Sequence, residues 1–556
     1  MRIGQKRAPQ QTSRLGILAA VLLFFLIGLT VGNPRWIETA VSTLSNPGEL
    51  FSFLRTPADL PTLIVDMPFE NVNAILQQRE AGLAQGVVLG TDEDFVNADV
   101  RLTVDGTTTT IPVRMRLQQG VADGLDEGDK WAYDVRTRQD SQLLGMQRFT
   151  LQDPASNNWL NQWLFAKSLE QSGLLATRYQ FVQLVFNGDN RGIYALQEGF
   201  GDELILANDR EVGVMVEFDA ARLWEATAYY AGDIDAAFAD PATNLSLDDY
   251  QFFEVDTFRD RNISRDEVLT MQKNNAIGLL RSLQAGDATA SEIFDIGQYG
   301  AFLAFVDLFG ATDAVSLANL RYYYNPTTGR LEPIGYNGNP LSDEARVKPI
   351  HFYHDSAIQE IYVQTAVQLA DPAYLDQLEA TFGAELDALR RTLADEVELD
   401  APWETLRARQ ALLQRTLSPV QPAFAYLGPP EMSMQAVIQI DVANTLNLPL
   451  EILGFDLGGE LFMAPETEWV QGAAEEMAVL SDAGENGRFV LNAVTDAPQY
   501  VRFHLPLIEV YERKPDIDFL REFDINVVTR LAGLSDGQQL SLARPGYPEP
   551  TLPSAN

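Results

Sequence analysis

The sequence contains no cysteine, three histidines and, among 40 basic residues, only six lysines. Without cysteine there is no disulfide, thiol nucleophile, iron–sulfur cluster or thiolate zinc site. His351, His354 and His504 leave little for imidazole chemistry. The run "HFYH" would set the first two on one helix face, but no third zinc ligand stands at a fitting place in the sequence. Gly-x-Ser-x-Gly, P-loop and Gly-x-Gly-x-x-Gly patterns are also missing, which removes the common hydrolase and dinucleotide readings. Positive charge is scarce as well: 78 acidic residues leave a formal net charge of −38. A surface that acidic repels phosphate backbones, so nucleic acid is not expected as a partner.

What is present is a chain of 556 residues, 46% hydrophobic, long enough for two or three cores. Residues 1–14 form a basic tail with Arg2, Lys6, Arg7 and Arg14, and 15–32 is the uncharged run "LGILAAVLLFFLIGLTVG". Eighteen such residues about span a hydrocarbon core, and the basic flank puts the N-terminus in the cytoplasm and the bulk of the chain outside. Thr30-Val31-Gly32 can also be read as a cleavage site, which would make the protein secreted. The length of the run favours a retained single-pass membrane anchor.

Residues 33–60 read as a linker, 61–225 as an α+β layer on an antiparallel sheet, and 226–425 as mostly helical. Residues 433–546 alternate like a small β-sandwich, and 547–556 read as a disordered tail. Hairpins are expected at Asp105-Gly106 and Asn187-Gly188, and a helix over "NNWLNQWLFAKSLEQSGL" closed by Gly173. "KWAYDVRT" and "QYVRFHLPLIEVYE" both read as strands.

Lys130 opens "KWAYDVRT"; a lysine in an arginine-biased chain suits phosphate oxygens, and a solvated strand end is its plain alternative. Glu198 closes "IYALQEGF". If their strands are neighbours, the two form the Lys–Glu couple that holds nucleotide phosphates in kinase-like folds. "RYYYNPTTGRLEPIGYNGNP" is a hairpin that delivers a polar tip from a buried ribbon, the usual way to present metal ligands. This tip carries the amides Asn337 and Asn339.

The succession "DKWAYDVRT", "LLGMQRFTLQDP", "NQWLFAKSLEQSGLLATRYQFVQLVFNG", "GIYALQEGF" and "NLRYYYNPTTGRLEPIGYNGN" resembles the spore-coat protein CotH kinase family over roughly Val113 to Pro340. The resemblance implies an atypical kinase-like, two-lobed core, and in active members transfer of phosphate from ATP, with Mg2+, to extracytoplasmic proteins. It places Lys130 and Glu198 in the nucleotide phosphate region as cofactor-binding residues. It places Asp313 and Asn319 among the catalytic-loop residues, and Asn337 and Asn339 where active members hold metal through aspartates. Phosphoryl transfer relies on magnesium held by at least one ionised carboxylate, and an amide brings no charge. The metal positions are therefore degenerate, and a pseudokinase or binding protein with an unidentified extracytoplasmic protein partner ranks first. An active atypical kinase using ATP and Mg2+, with Asp343 or Glu344 as substitute ligands, is the alternative. A structural or adhesive envelope protein is the second alternative.

Overall fold

The computed structural model describes residues 60–545, apart from 105–106, 123, 127–129, 140, 244, 246–252, 343–354, 395, 429–430, 433–435, 464–469, 472–479, 482–488, 496 and 516–523. The chain divides into two units, Met1–Asp59 and Leu60–Asn556, and every described residue belongs to the second. The basic tail, the apolar run, the linker up to residue 59, His351, His354, Asp343, Glu344 and the C-terminal tail thus lie outside the described residues. Among the described residues no helix is long and apolar enough to cross a membrane.

Helices and sheets are mixed throughout, as an α+β chain requires. The first sheet goes beyond an open antiparallel layer: seven strands close into a barrel. In spatial order these are Thr62–Asp66, Val96–Val104, Thr107–Leu117, Tyr133–Thr137, Arg148–Gln152, Asp189–Glu198 and Tyr179–Phe186. Closure comes from one parallel pair, Thr62–Asp66 with Tyr179–Phe186, between segments more than a hundred residues apart. Local alternation carries no signal for such a pairing. Val104 pairs with Thr107 across the expected Asp105-Gly106 turn, whose own residues are not described. Asn187 and Gly188 both take positive φ, 48° and 90°, the pair of values that a tight two-residue hairpin needs. Helix Leu160–Gln171 ends before Gly173, which takes the left-handed φ of 72°. "KWAYDVRT" begins its ladder at Tyr133, so Lys130 stands outside the strand.

A five-stranded sheet follows, in the order Val255–Thr257, Met215–Phe218, Arg321–Asn325, Arg330–Gly335 and Leu175–Ala176. The hairpin of "RYYYNPTTGRLEPIGYNGNP", Arg321–Asn325 with Arg330–Gly335, forms its centre. Tyr322 and Tyr323 are fully buried, with Tyr322 in a ring cluster with Phe294 and Tyr299. Leu175–Ala176 joins in parallel with Ile334–Gly335 and leads directly into the barrel strand Tyr179–Phe186, coupling the two sheets. Helices Ile296–Phe309, Ser356–Ala370, Pro372–Leu393 and Trp403–Thr416 pack one core with helix Leu160–Gln171.

The C-terminal β region begins earlier than the sequence implies. Ala423–Leu427 pairs with both Ala436–Asn444 and Gln539–Pro545, in a sheet of eleven strands. The sheet folds over itself: Phe455 and Phe503 have ring centroids 5.5 Å apart although several strands separate theirs along the sheet. "QYVRFHLPLIEVYE" is not one strand. Its ladder ends at Pro506, and Leu507–Arg513 is helical, because proline offers no ladder donor and fits a helix start. Phe503 touches both Phe455 and Phe489 and is fully buried, so Phe503→Ala should cost about 3–5 kcal/mol. A lowered denaturant midpoint checks this; an unchanged midpoint would refute the fold-over core.

Candidate functional site

The hairpin strand Arg330–Gly335 runs into Tyr336, Asn337, Gly338 and Asn339, where the chain turns sharply. Asn337 and Asn339 take left-handed φ of 44° and 45°, a conformation asparagine tolerates better than most residues. Gly338 between them has no room for a side chain: a Cβ would sit 2.9 Å from Phe165 and 3.0 Å from Ala311. Its N–H donates to Gln162 Oε1 at 3.0 Å, and Gln162 is buried. The turn is therefore pinned to the helix Leu160–Gln171 and to the start of the loop that carries Asp313.

Three of the six residues singled out from sequence meet at this corner. Asn319 Nδ2 donates to the Asp313 carbonyl at 3.0 Å and to the Asn337 carbonyl at 3.4 Å. Asn337 Oδ1 accepts from Asn157 Nδ2 at 3.1 Å. Asp313 keeps its side chain on the surface. Asn339 instead lines a neighbouring cleft of about 580 Å3 with Asn158, Trp159, Ser342 and Asp400. Trp159 takes a φ of 52°, a strained value for a bulky residue.

Lys130 and Glu198 do not form a couple. Lys130 Nζ pairs with Glu396 Oε2 at 2.5 Å, donates to the Ile193 carbonyl at 2.8 Å and lies 5.7 Å from the Trp159 ring centre. Ile193 is five residues before Glu198 on one strand, about 16 Å away by strand rise. Glu198 is buried and held by Arg178, whose Nε donates to Oε2 at 2.9 Å and Nη2 to Oε1 at 2.5 Å. The misreading has a physical origin: barrel register, which sequence does not disclose, sets Glu198 opposite Phe149 and Phe149 opposite Val135, well past Lys130.

Charged residues missed by sequence surround the other side of Tyr336. Arg321 Nη2 pairs with Glu217 Oε2 at 2.7 Å, and its guanidinium lies 5.7–5.8 Å from the ring centres of Phe200, Phe258 and Tyr336. Asp134, on the barrel, binds Arg116 at 2.9 Å. Burial raises the carboxyls of both Asp134 and Glu217 despite their arginines. Tyr336 is pushed up to about 12, chiefly by burial, with Asp134 and Glu217 adding to the rise. Barrel wall and hairpin sheet thus bring a cluster of paired charges to Tyr336. Its signal in the sequence was only the alternation of arginines in "VRMRL" and "DVRTR", legible once the strands are in register.

Residues 125–387 match the family model described as CotH kinase protein. The chain is CotH-like. The CotH-like region holds all six candidate residues and the greater part of the barrel, and stops before the C-terminal sheet. No curated protein matches the chain. Among the described residues of this CotH-like protein, no group of three or more His, Asp or Glu side chains stands together as metal ligands would.

Removing Arg178 would leave Glu198 charged and uncompensated in the interior, so Arg178→Met should destabilise by about 3 kcal/mol. A thermal melt reads it directly; an unaltered melting temperature would mean that Glu198 is free for another partner.

Proposed function

We propose that this CotH-like chain is a membrane-anchored, extracytoplasmic pseudokinase or binding protein with a kinase-like, two-lobed scaffold that no longer transfers phosphate. In this reading the barrel and the helical region are the two lobes, and residues 15–32 are the anchor. The C-terminal sheet is a sandwich-like module that meets the protein partner.

One observation carries the reading. At the corner where phosphoryl transfer would need an ionised metal ligand stands Asn337, whose amide oxygen is already spent on Asn157. Asn319, the other amide at this corner, is likewise uncharged, and its Nδ2 donates to the Asp313 and Asn337 backbone carbonyls. Magnesium favours charged oxygen ligands in near-octahedral array; of the three residues at this corner two are amides, and Asp313 keeps its carboxylate on the surface. The two carboxylates whose charge reaches Tyr336, Asp134 and Glu217, are each paired with an arginine. No transfer step is assigned to these residues.

The test compares the natural protein with an Asn337→Asp/Asn339→Asp variant in magnesium-ATP, by thermal shift and by labelling of a general protein substrate. Ligand that binds only the folded state raises the melting temperature. The expected outcome is no labelling by the natural protein and a larger shift for the double variant. Labelling by the natural protein would overturn the pseudokinase reading in favour of an active kinase. The absence of any shift in either protein would move the function to the C-terminal sheet.

A further inference from the structure

Three arginines stand directly opposite one another on three adjacent barrel strands. Arg114 is in register with Arg136, and Arg136 with Arg148. Their strand neighbours Val113, Met115, Val135 and Phe149 are buried in the barrel core, so the arginines project outward. Arg116 and Arg138 lie two residues along on the same face. Like charges directly opposite destabilise a sheet, and this chain carries −38 overall. A ladder of arginines is therefore a local cost that composition does not explain.

Most of the wall is satisfied internally. Arg136 Nη1 donates to Asp92 at 2.8 Å, Arg116 Nε to Asp134 at 3.0 Å, Arg114 to the Phe95 carbonyl at 3.1 Å and Arg138 to Asn97 at 3.3 Å. Arg259 pairs with Asp202. Arg148 is the exception: half-buried, its guanidinium makes no hydrogen bond or ion pair among the described residues. Burial, with Arg136 and Arg259 close by, lowers it to about 10, against the opposing pull of Asp92 and Glu203, so it stays cationic at neutral pH.

We infer that Arg148, flanked by Arg136 and Arg259, is the receiving group of a subsite for a phosphate-type oxyanion bound without a divalent metal. A guanidinium presents its donors as a planar fork that matches two oxygens of a phosphate, and such charge-assisted pairs are about twice as strong as neutral ones. The oxyanion supplies the directly bonded partner that Arg148 lacks among the described residues. The inference rests on barrel register and on Arg148, and stands whether or not the hairpin corner is a former metal site.

The experiment measures melting temperature of the intact protein in EDTA at constant ionic strength, titrated with inorganic phosphate, pyrophosphate or ATP, for wild type, Arg148→Met and Arg148→Lys. Pyrophosphate should stabilise the wild type without metal, bind Arg148→Lys more weakly and bind Arg148→Met about tenfold or more weakly. Without ligand, Arg148→Met should melt higher than the wild type, because a like charge directly opposite Arg136 is removed. ATP stabilising more than pyrophosphate would assign the oxyanion to a nucleotide; equal effects would assign it to the phosphate alone. Failure of all three oxyanions to shift the wild type, or an unchanged response in Arg148→Met, would overturn the subsite. A labelling result at Asn337 bears on neither outcome.

Discussion

The short parallel bridge between Leu175–Ala176 and Ile334–Gly335 is the constraint on which the candidate site depends. Leu175–Ala176 leads into a barrel strand, and Gly335 leads into Tyr336 and Asn337, so this bridge fixes the barrel wall against the hairpin corner. Thr177 extends it, donating its N–H to the Gly335 carbonyl at 3.1 Å while its hydroxyl accepts from Gln197 on the outer face of the barrel strand Asp189–Glu198. Gly335 must lack a side chain, since a Cβ would sit 2.3 Å from Leu169, and Gly338 must do so against Phe165. Two glycines in four residues thus let the chain lie flat on one helix. Every group discussed at the site takes its position from that contact.

Sequence alone disclosed the features that are local. Asn187-Gly188 and Gly173 could be placed because positive φ has a residue signature, and the aromatic hairpin because three tyrosines and an Asn-Pro-Thr-Thr-Gly turn leave few alternatives. The corner formed by Asp313, Asn319 and Asn337 was reached through family resemblance, and the hydrogen bonds among them followed from the structure. Barrel closure was not legible, since the strands that close it are distant in sequence and pair in parallel. The Lys130–Glu198 pairing failed for the same reason: which residues face one another depends on register across three strands, and alternation is blind to it. The arginine ladder is the converse case, plain in the letters of three separate strands and meaningful only when they are aligned.

A nucleotide or other phosphate compound needs positive charge from somewhere, and a protein can supply it in two ways. A divalent ion held by carboxylates concentrates two charges at one point and demands a nearly ideal shell of oxygens. Guanidinium groups spread single charges over a planar fork, require no carboxylate and cannot be deprotonated near neutrality. The two can serve one phosphate together, but a carboxylate that pairs with a neighbouring arginine is cancelled by it as a metal ligand. Asp134 and Glu217 show that cancellation already, each bound to an arginine and each desolvated. On the proposed reading, the amide at 337 and an Arg148 without a hydrogen-bonded partner among the described residues tilt the charge balance toward recognition of an anion and away from metal-assisted transfer. On that reading, the charge of the ligands at the corner is what would separate a scaffold that binds a phosphate from one that moves it.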